Sequence, residues 1–272
     1  MGVYFSQGRV AMQLFFDHIA GKTSDHELIY APASAIFDQC EYESALNTGW
    51  MITGTWYNNQ DPWFKECKKS NIPVWYQSRI TRIKTRDYVL KRRHRQRMNR
   101  EGLTADVVPA CDLSLLLSIY HKYLNARGFT DMYCENHPFE KSDYGQDRIV
   151  ILYYYDSCPV AFSILDLVGQ SAVATQFCWD YANPDLDLGK VSYYLEQIIA
   201  RHLGIKYIYL GSSYESNSAS KSNYAGFEWW DGRSWRADKK KYLNLCEQDD
   251  AVSTIKQLSE IQVNYFSPDS NN

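Results

Sequence analysis

The sequence predicts an α+β protein with a mixed sheet, and the first evidence is the stretch 148–179. Three apolar and aromatic runs lie there, 148–155, 160–168 and 173–179. Short turn-forming spacers separate them, Asp-Ser-Cys at 156–158 and Gly-Gln at 169–170. Runs of this length and composition, joined by such spacers, predict an antiparallel meander of three strands.

The second observation is a change of hydrophobic period directly after the meander. Apolar residues recur at helical spacing from Val191 to Leu203, and Gly204 stands where a helix would end. One more strand is predicted at once, from Lys206 to Gly211. Strands followed by a helix and another strand predict a sheet with mixed connections.

Other parts of the chain predict further elements. A short amphipathic helix is expected within 1–23, a helix ending near Gly49, and a helix within 114–132. The segment KKKYLNLC at 239–246 is interpreted as a closing strand, and 251–266 as a C-terminal helix before a polar tail. The polar residues around Gly102 predict a domain boundary.

Composition restricts the class of protein. With 272 residues, of which 45% are hydrophobic and 22% charged, the chain can form a sizeable core. No stretch approaches 18 consecutive apolar residues, and the N-terminus lacks the order of a signal peptide. We therefore expect a cytoplasmic protein without membrane contact, whose seven cysteines are reduced thiols.

The charge is distributed unevenly. Ten basic residues and one acid lie from Arg79 to Arg100, which gives this segment a charge of +9. Because the net charge of the chain is −3, the other 250 residues together carry −12. A field this local can guide a polyanion to one face of the protein.

The segment FCWDYANPDLDLGKVSYYLEQIIARHLGIKYIYLG at 177–211 resembles the pattern FYDPDxxxxSLGxYxxLxxIxxAxxLGLxYxYLG of the aminoacyl-tRNA-protein transferases, the arginyl and leucyl enzymes. Tyr120 and the YLNAR at 123–127 are in register with that family's LYRRYLNARHADGGM. The resemblance implies an acetyltransferase-like (GNAT-type) mixed sheet domain at 104–250, a smaller N-terminal α/β domain at 1–103, and a C-terminal helix and tail at 251–272.

One departure from the family concerns metal binding. Many relatives have a cysteine cluster where this chain keeps Cys67 but has Ser70 and Ile72 before the matching Pro73. A lone thiol cannot make a tetrahedral zinc or iron-sulfur site. We predict no metal and no cofactor, and interpret Cys40 as a core residue.

The basic segment coincides with the family's PSRSQRRxLKRNxDL, whose arginines align with Arg92 and Arg95. As a helix over 87–100 it would present charges on every face and have little to bury, whereas RNA phosphates would bring such charges together. Aromatic side chains nearby are expected to stack on an unpaired RNA end. A solvated basic face is the alternative. The expected tRNA contacts are Arg79, Arg92, Arg93, Arg95, Arg97 and Arg100, and the expected stacking residues are Trp75, Tyr76 and Tyr88.

The resemblance also implies a chemistry. An aminoacyl-tRNA ester is already activated, so an amine can attack it without an enzyme nucleophile, and the protein must orient the amine and stabilise the oxyanion. We expect Asp180 to orient the amine and Lys221 to contact the oxyanion or the RNA 3′ end. The alternatives are a loop-capping Asp180, a solvent-facing Gln176 and a surface Lys221. The predicted catalytic residues are Gln176, Asp180, Lys221 and Tyr224, and the predicted substrate-binding residues are Tyr120, Arg127 and Glu215.

Three functional classes follow. The first is a transferase that moves an aminoacyl group from charged tRNA to an amine, on a protein N-terminus or a small molecule, forming an amide. The second is an acyl-CoA-dependent N-acetyltransferase, although the turn at 184–190 offers one glycine and two acids to a pyrophosphate. The third is a non-catalytic RNA-binding protein. The amino acid, the tRNA, the acceptor and the oligomeric state stay open.

Overall fold

The structure of the protein, a computed structural model, describes part of the chain. The described residues are 3–5, 12–14, 31–32, 39–53, 56–58, 62–66, 72–108, 113–128, 147–213, 216–254 and 256–258. Within these residues, no helix has the length and apolar character needed to cross a membrane.

The secondary structure of the described residues follows in chain order. The α-helices are α1 (Gln39–Asn47), α2 (Arg92–Met98), α3 (Leu113–Arg127), α4 (Leu188–His202) and α5 (Lys239–Asp249). The strands are β1 (Val3–Phe5), β2 (Met12–Leu14), β3 (Ala31–Pro32), β4 (Met51–Thr53), β5 (Trp56–Asn58), β6 (Pro62–Glu66), β7 (Pro73–Gln77), β8 (Arg79–Lys84), β9 (Leu103–Val108), β10 (Arg148–Tyr155), β11 (Cys158–Val168), β12 (Ser171–Trp179), β13 (Tyr207–Ser213), β14 (Phe227–Trp230) and β15 (Trp235–Arg236). Short 3-10 helices lie at Thr85–Asp87, Pro184–Leu186 and Ser216–Asn223.

The chain divides into two compact units. Unit 1 consists of Met1–Arg82 and Gly211–Asn272, and unit 2 of Ile83–Leu210. Strands β8 and β13 therefore contribute residues to both units. The predicted domains, 1–103, 104–250 and 251–272, stay a prediction.

Unit 2 contains the predicted meander. Its strands lie in the order β13-β12-β11-β10-β9, with β9 to β12 antiparallel. Asp156 and Ser157 make the turn between β10 and β11 with positive φ angles of 47° and 66°, the left-handed conformation that tight two-residue hairpins need. The three predicted strands are confirmed.

The crossover after the meander is confirmed as well. Helix α4 ends at His202, and Gly204 follows with a φ of +74°. The chain then enters β13, which pairs parallel to β12 from Ser171↔Tyr207 to Val173↔Tyr209. Antiparallel strands, a crossover helix and a parallel strand make a mixed sheet, so the predicted α+β class with a mixed sheet is confirmed.

Side chains alternate between the two faces of this sheet, as the period of a strand requires. One face packs on α3, and the buried cluster there is Leu116, Ile119, Tyr120, Leu124, Val150, Leu152, Phe162, Ile164 and Cys178. On the other face, Ser163 of β11 lies between Tyr153 of β10 and Glu196 of α4. Helices thus cover both faces of the sheet.

Unit 1 contains the strand order β15-β14-β8-β13, in which β13 contributes residues 211–213, and the helices α1 and α5. Helix α1 ends before Gly49, as predicted, and Gly49 has a φ of +78°. Three smaller antiparallel sheets, β1-β2, β3-β5-β4 and β6-β7, also belong to this unit.

Two predicted elements in unit 1 are wrong. The segment 239–246 is part of helix α5 and not a strand: Asp238 caps it by accepting a hydrogen bond from the Lys241 N–H at 3.0 Å. Its buried residues, Tyr242, Leu245, Cys246 and Asp249, recur at helical spacing. The expected helix within 1–23 is replaced by the paired strands β1 and β2. Most of the predicted C-terminal helix, 251–266, lies outside the described residues.

Candidate functional site

A buried ion pair lies beside a bulge in the middle of strand β12. The register of β11 and β12 shifts opposite Thr175, whose hydroxyl donates to the Asp166 carboxylate at 2.6 Å. Arg148 binds the same carboxylate at 2.6 and 3.0 Å, and the Asp166 side chain is fully buried. Bulges of this kind re-aim side chains and are frequent beside active sites.

Strand β12 extends beyond its parallel partner. Pairing between β12 and β13 ends at Val173↔Tyr209, and no further pair of these two strands occurs in the described part of the chain. Among the described strands, β11 alone pairs with residues 174–179. The predicted site residues Gln176 and Asp180 lie along and just after this edge.

Gln176 is half-buried, and its amide points toward a neighbouring thiol. The Nε2 group donates to Cys178 Sγ at 3.1 Å, on the face that packs against α3. Burial raises the pKa of the Cys178 thiol to about 12, so the thiol stays protonated and is no nucleophile at neutral pH. The structure thus holds the Gln176 amide close to the sheet.

Asp180 has two partners in unit 2. Its carboxylate accepts from Lys122 Nζ at 2.8 Å and from the Ala182 N–H at 3.0 Å. The hydrogen bond from Lys122 is the main cause of a lowered pKa of Asp180, and burial opposes it. The carboxylate is ionised at neutral pH. It caps a turn and pairs with the Lys122 ammonium group.

An aromatic cluster formed by residues of α3, β12 and the turn after β12 was not predicted. We define it as Tyr123, Phe177, Trp179 and Tyr181, which are all half-buried. The Trp179 ring lies 5.1 Å from Tyr123, 5.1 Å from Phe177 and 4.7 Å from Tyr181, measured between centroids. Tyr123 also stacks on Tyr181 at 6.1 Å. The signal in the sequence is Phe, Trp and Tyr at alternate positions 177, 179 and 181.

The two predicted binding residues on α3 have different environments. The Tyr120 side chain is 2% exposed and belongs to the core cluster on the sheet. A substrate contact by Tyr120 would require that core to open. Arg127, in the last turn of α3, is exposed.

Lys221 and Tyr224 belong to unit 1, whereas Gln176 and Asp180 belong to unit 2. Lys221 is half-buried in the 3-10 helix Ser216–Asn223, and burial of its ammonium group lowers its pKa to about 8. Tyr224 follows that helix and is half-buried. Glu215 lies outside the described residues.

The structure divides the expected RNA-contacting residues. Arg79 is 1% exposed, and its guanidinium contacts the Asp249 carboxylate at 2.6 Å, inside unit 1. This buried pair makes Arg79 a structural residue, contrary to its expected role at the RNA. Tyr76 and Tyr88 are 0% and 2% exposed and present no free ring face to a base, whereas Trp75 is half-buried.

Helix α2 carries the exposed arginines. His94 is its buried residue, and its ring stacks on Tyr194 of α4 at 4.0 Å. The Tyr88 hydroxyl lies 3.3 Å from His94 Nδ1. Desolvation, and then the neighbouring Arg93, lower the pKa of His94, which favours a neutral ring. Helix α2 has charged residues on its other faces, as predicted, and packs against α4 through this one neutral histidine.

A pocket of about 380 Å³ lies between α2 and the start of α4. We call it the arginine pocket and define it by Arg93, Arg97, Arg100, Asp185 and Asp187. Arg97 Nε contacts the Asp187 carboxylate at 3.1 Å, and Lys190 Nζ contacts it at 2.9 Å. Arg100 donates to the Asp185 carbonyl oxygen. The carboxylate of Asp187 is thus neutralised by two cations.

Metal binding finds no support in the described ranges. They contain no group of three or more His, Cys, Asp or Glu side chains placed to hold a metal ion. Cys67 and the side chain of Cys40 lie outside these ranges.

Part of the chain is similar to a known protein family. Residues 116–228 match the family described as arginine-tRNA-protein transferase, C terminus. This segment includes most of α3, the whole meander, α4 and β13. A comparison with curated proteins found no match.

Several solved structures are similar to parts of the chain. The structure of L-PGS from Bacillus licheniformis is 14% identical with a TM-score of 0.42, and the match covers 50% of this chain and 45% of that one. A GCN5-related N-acetyltransferase from Kribbella flavida is 16% identical with a TM-score of 0.32, covering 49% and 47%. FemX is 10% identical with a TM-score of 0.39, covering 64% and 60%. The chain thus spans roughly half the length of these proteins.

Proposed function

We propose that this chain is an aminoacyl-tRNA-dependent transferase that moves the aminoacyl group of a charged tRNA to an amine and forms an amide bond. The observation that carries this proposal is the family match over 116–228. That segment contains the open end of β12 and the ionised Asp180. The acceptor is an amine on a protein N-terminus or on a small molecule.

The reaction requires the protein to position the ester and the amine, and it requires no covalent enzyme intermediate. The amine nitrogen attacks the ester carbonyl, the new C–N bond forms, and the ester C–O bond breaks. The terminal ribose oxygen leaves with a proton, and the attacking nitrogen loses one. An acceptor α-amine has an ordinary pKa near 8, so about a tenth of it is already deprotonated at neutral pH.

We assign the predicted residues roles in this scheme. Asp180, ionised beside Lys122, orients the incoming ammonium before it loses its proton, because an opposite charge favours the bound cation. The Gln176 amide lies on the same strand end and offers hydrogen bonds to the aminoacyl group. Lys221 contacts the oxyanion or the RNA 3′ end, and Tyr224 follows it in the same segment.

Contact with RNA is the second part of the proposal. The arginines of α2 are exposed at Arg92, Arg93 and Arg95, and none of the three makes a salt bridge within the described residues. A cation without a carboxylate partner is available to a phosphate. Each neutralised phosphate releases counterions, so affinity falls with rising salt.

A second candidate function has one observation in its favour. Acetyl-CoA would place its pyrophosphate at the start of α4, where the sequence offers two acids. The structure neutralises Asp187 with Arg97 and Lys190, which weakens that electrostatic objection. An acyl-CoA-dependent N-acetyltransferase therefore remains the alternative enzyme, and a non-catalytic RNA-binding protein the alternative without chemistry.

One experiment separates the three. The purified protein is incubated with tRNA charged with a mixture of labelled amino acids, candidate peptides and a small-molecule extract, and mass spectrometry records any acceptor that gains an aminoacyl mass. The proposal requires a product that disappears when the tRNA is deacylated. A product that appears only with acetyl-CoA would establish the acetyltransferase. If neither donor gives a product and the protein binds tRNA, the chain is an RNA-binding protein without this chemistry.

Matched variants test the roles of the residues. Replacing Asp180→Asn should lower the transfer rate, while Asp106→Asn, an exposed change on β9 of the same unit, should leave it unchanged.

Replacing Arg92, Arg93, Arg95 and Arg97 with alanine should weaken tRNA binding and flatten its salt dependence. A control that replaces the exposed Lys239, Lys240 and Lys256 should keep the wild-type slope.

A further inference from the structure

Two features of unit 2 meet at the same end of helix α4. Gly189 is the second residue of α4, and a Cβ placed there would lie 4.0 Å from the Phe177 ring of the aromatic cluster. Asp187, directly before α4, contacts Arg97 of the arginine pocket at 3.1 Å. The aromatic cluster and the arginine pocket therefore both adjoin the start of helix α4.

We propose that the arginine pocket binds a backbone phosphate of a single-stranded RNA 3′ end and that the aromatic cluster stacks on an unpaired base of that same end. This inference rests on the proposed function and adds the place and the mode of RNA binding. It separates Arg93, Arg97 and Arg100 from the other arginines of the basic segment.

The chemistry of the arginine pocket suits a phosphate. Its three guanidinium groups supply planar sets of N–H donors, which match phosphate oxygens. Arg93 has no salt bridge within the described ranges, and Arg100 bonds a neutral carbonyl oxygen, so both keep uncompensated charge. Arg97 and Lys190 share one carboxylate, Asp187. A bound phosphate would therefore meet a net positive site.

The aromatic cluster suits a base. Trp179 contacts three other rings, which fixes its orientation before any ligand arrives. All four side chains are half-buried and keep part of their surface accessible, and unpaired bases stack on aromatic side chains with about 1–3 kcal/mol each. The aromatic residues expected from the sequence, Tyr76 and Tyr88, are buried and unavailable for this task.

A polymer fits the surroundings better than a single cofactor. The exposed Arg92 and Arg95 continue the positive surface of α2 beyond the pocket, where a second and third phosphate of a strand would lie. A cofactor with one diphosphate would leave these charges unused. Paired ends, in turn, hide the base faces that the aromatic cluster would contact.

The test measures binding without catalysis. The full-length protein is titrated into a fluorescently labelled RNA hairpin with an unpaired CCA 3′ end, and separately into the same hairpin with a blunt end. Replacing Trp179→Leu or Tyr181→Leu should weaken binding of the unpaired end about 5- to 150-fold, the equivalent of one stacked base, and change blunt-end binding little. Tyr181, which follows β12, serves as the second variant should Trp179→Leu unfold.

The pocket has its own variants and control. The double change Arg93→Gln and Arg97→Gln should weaken binding of both hairpins and lower the slope of log affinity against log salt by about 2. The control Arg86→Gln changes a side chain that is 80% exposed outside the pocket, and it should lower that slope by no more than about 1. Unchanged binding of the unpaired end in the aromatic and pocket variants would overturn the inference. So would loss of coenzyme A binding in these variants while RNA binding stays at the wild-type level.

The failure of this inference is distinguishable from failure of the proposed function. If no aminoacyl transfer occurs but the aromatic variants lose the unpaired end selectively and the pocket variants weaken both hairpins, the RNA site stands and the transferase does not. If transfer occurs and the variants bind the unpaired end like the wild type, the transferase stands and the RNA 3′ end lies elsewhere.

Discussion

The Ser163 hydroxyl donates a hydrogen bond to the Glu196 carboxyl group at 2.6 Å, in the layer between the sheet and helix α4. Both side chains are buried, at 0% and 7% exposure. Tyr153 completes the chain by donating to the Ser163 oxygen at 3.1 Å, because the single Ser163 proton is already used. Burial raises the pKa of Glu196 to about 7, against the opposing effect of the Ser163 bond.

This burial predicts a pH dependence of stability. Folding raises the pKa of Glu196, so the folded state favours the protonated carboxyl group. The contribution of this group to the stability of the protein is fully present below its ordinary pKa of 4.5. Stability is lost as the pH rises through about 7, by about 3 kcal/mol at most. The variant Glu196→Gln should therefore unfold at higher urea than the wild type at pH 8 and nearly match it at pH 5. An equal difference at the two pH values would contradict this prediction.

The buried pair of Arg79 and Asp249 predicts a large effect of removing one partner. Asp249→Ala leaves the guanidinium buried without its charge partner and should destabilise the protein by about 3–5 kcal/mol. Asp87→Ala is the matched control, since its pair with Arg86 is exposed and should contribute less than about 1 kcal/mol. Urea unfolding of both variants measures the contrast. Similar midpoints would show that the Arg79 pair is dispensable.

Two glycines with similar backbone angles should respond differently to alanine. Gly49 has a φ of +78°, and an added Cβ would lie 2.5 Å from the Trp230 ring, which has little room to move. Gly204 has a φ of +74° with no atom within 4 Å of the same position. Gly204→Ala should show the conformational penalty of about 1 kcal/mol, and Gly49→Ala clearly more because of the clash. Thermal unfolding of the two variants measures the two losses of stability. The clash requires the loss to be larger for Gly49→Ala than for Gly204→Ala.

Lys221 predicts the upper pH limit of the proposed transfer. Burial lowers its pKa to about 8, so the ammonium that would stabilise the oxyanion is lost as the pH rises through that value. The transfer rate, measured in single turnovers and corrected for ester hydrolysis, should fall above pH 8. Lys221→Arg keeps the charge and should remove this fall. If the wild type and Lys221→Arg have the same pH profile, Lys221 does not act as a cation in the reaction.

Much of unit 2 could be predicted because its signals are local. The meander shows period-two alternation and short turns, and helix α4 shows a 3.6-residue period that ends at Gly204. The same reasoning failed at 239–246, where the capping residue Asp238 and the buried spacing from Tyr242 to Asp249 favoured a helix. Three lysines at the start of that segment hid its apolar face.

The candidate site was predicted in part. Asp180 and Gln176 lie at the end of β12 as expected, because strand order fixes where a strand stops. The aromatic cluster and the arginine pocket were not predicted as units, since each joins residues from separate elements. Glu196 had a signal in the sequence: it lies on the buried face of α4, three residues after the buried Tyr193.

The sequence by itself determined the order and type of most elements in unit 2, because side-chain period and turn chemistry act over a few neighbouring residues. The tertiary structure alone decided which charges and rings face outward. Arg79 and Arg92 belong to one basic run, yet Arg79 is buried against a carboxylate 170 residues away and Arg92 is exposed. Burial depends on such distant partners, and no local pattern contains them.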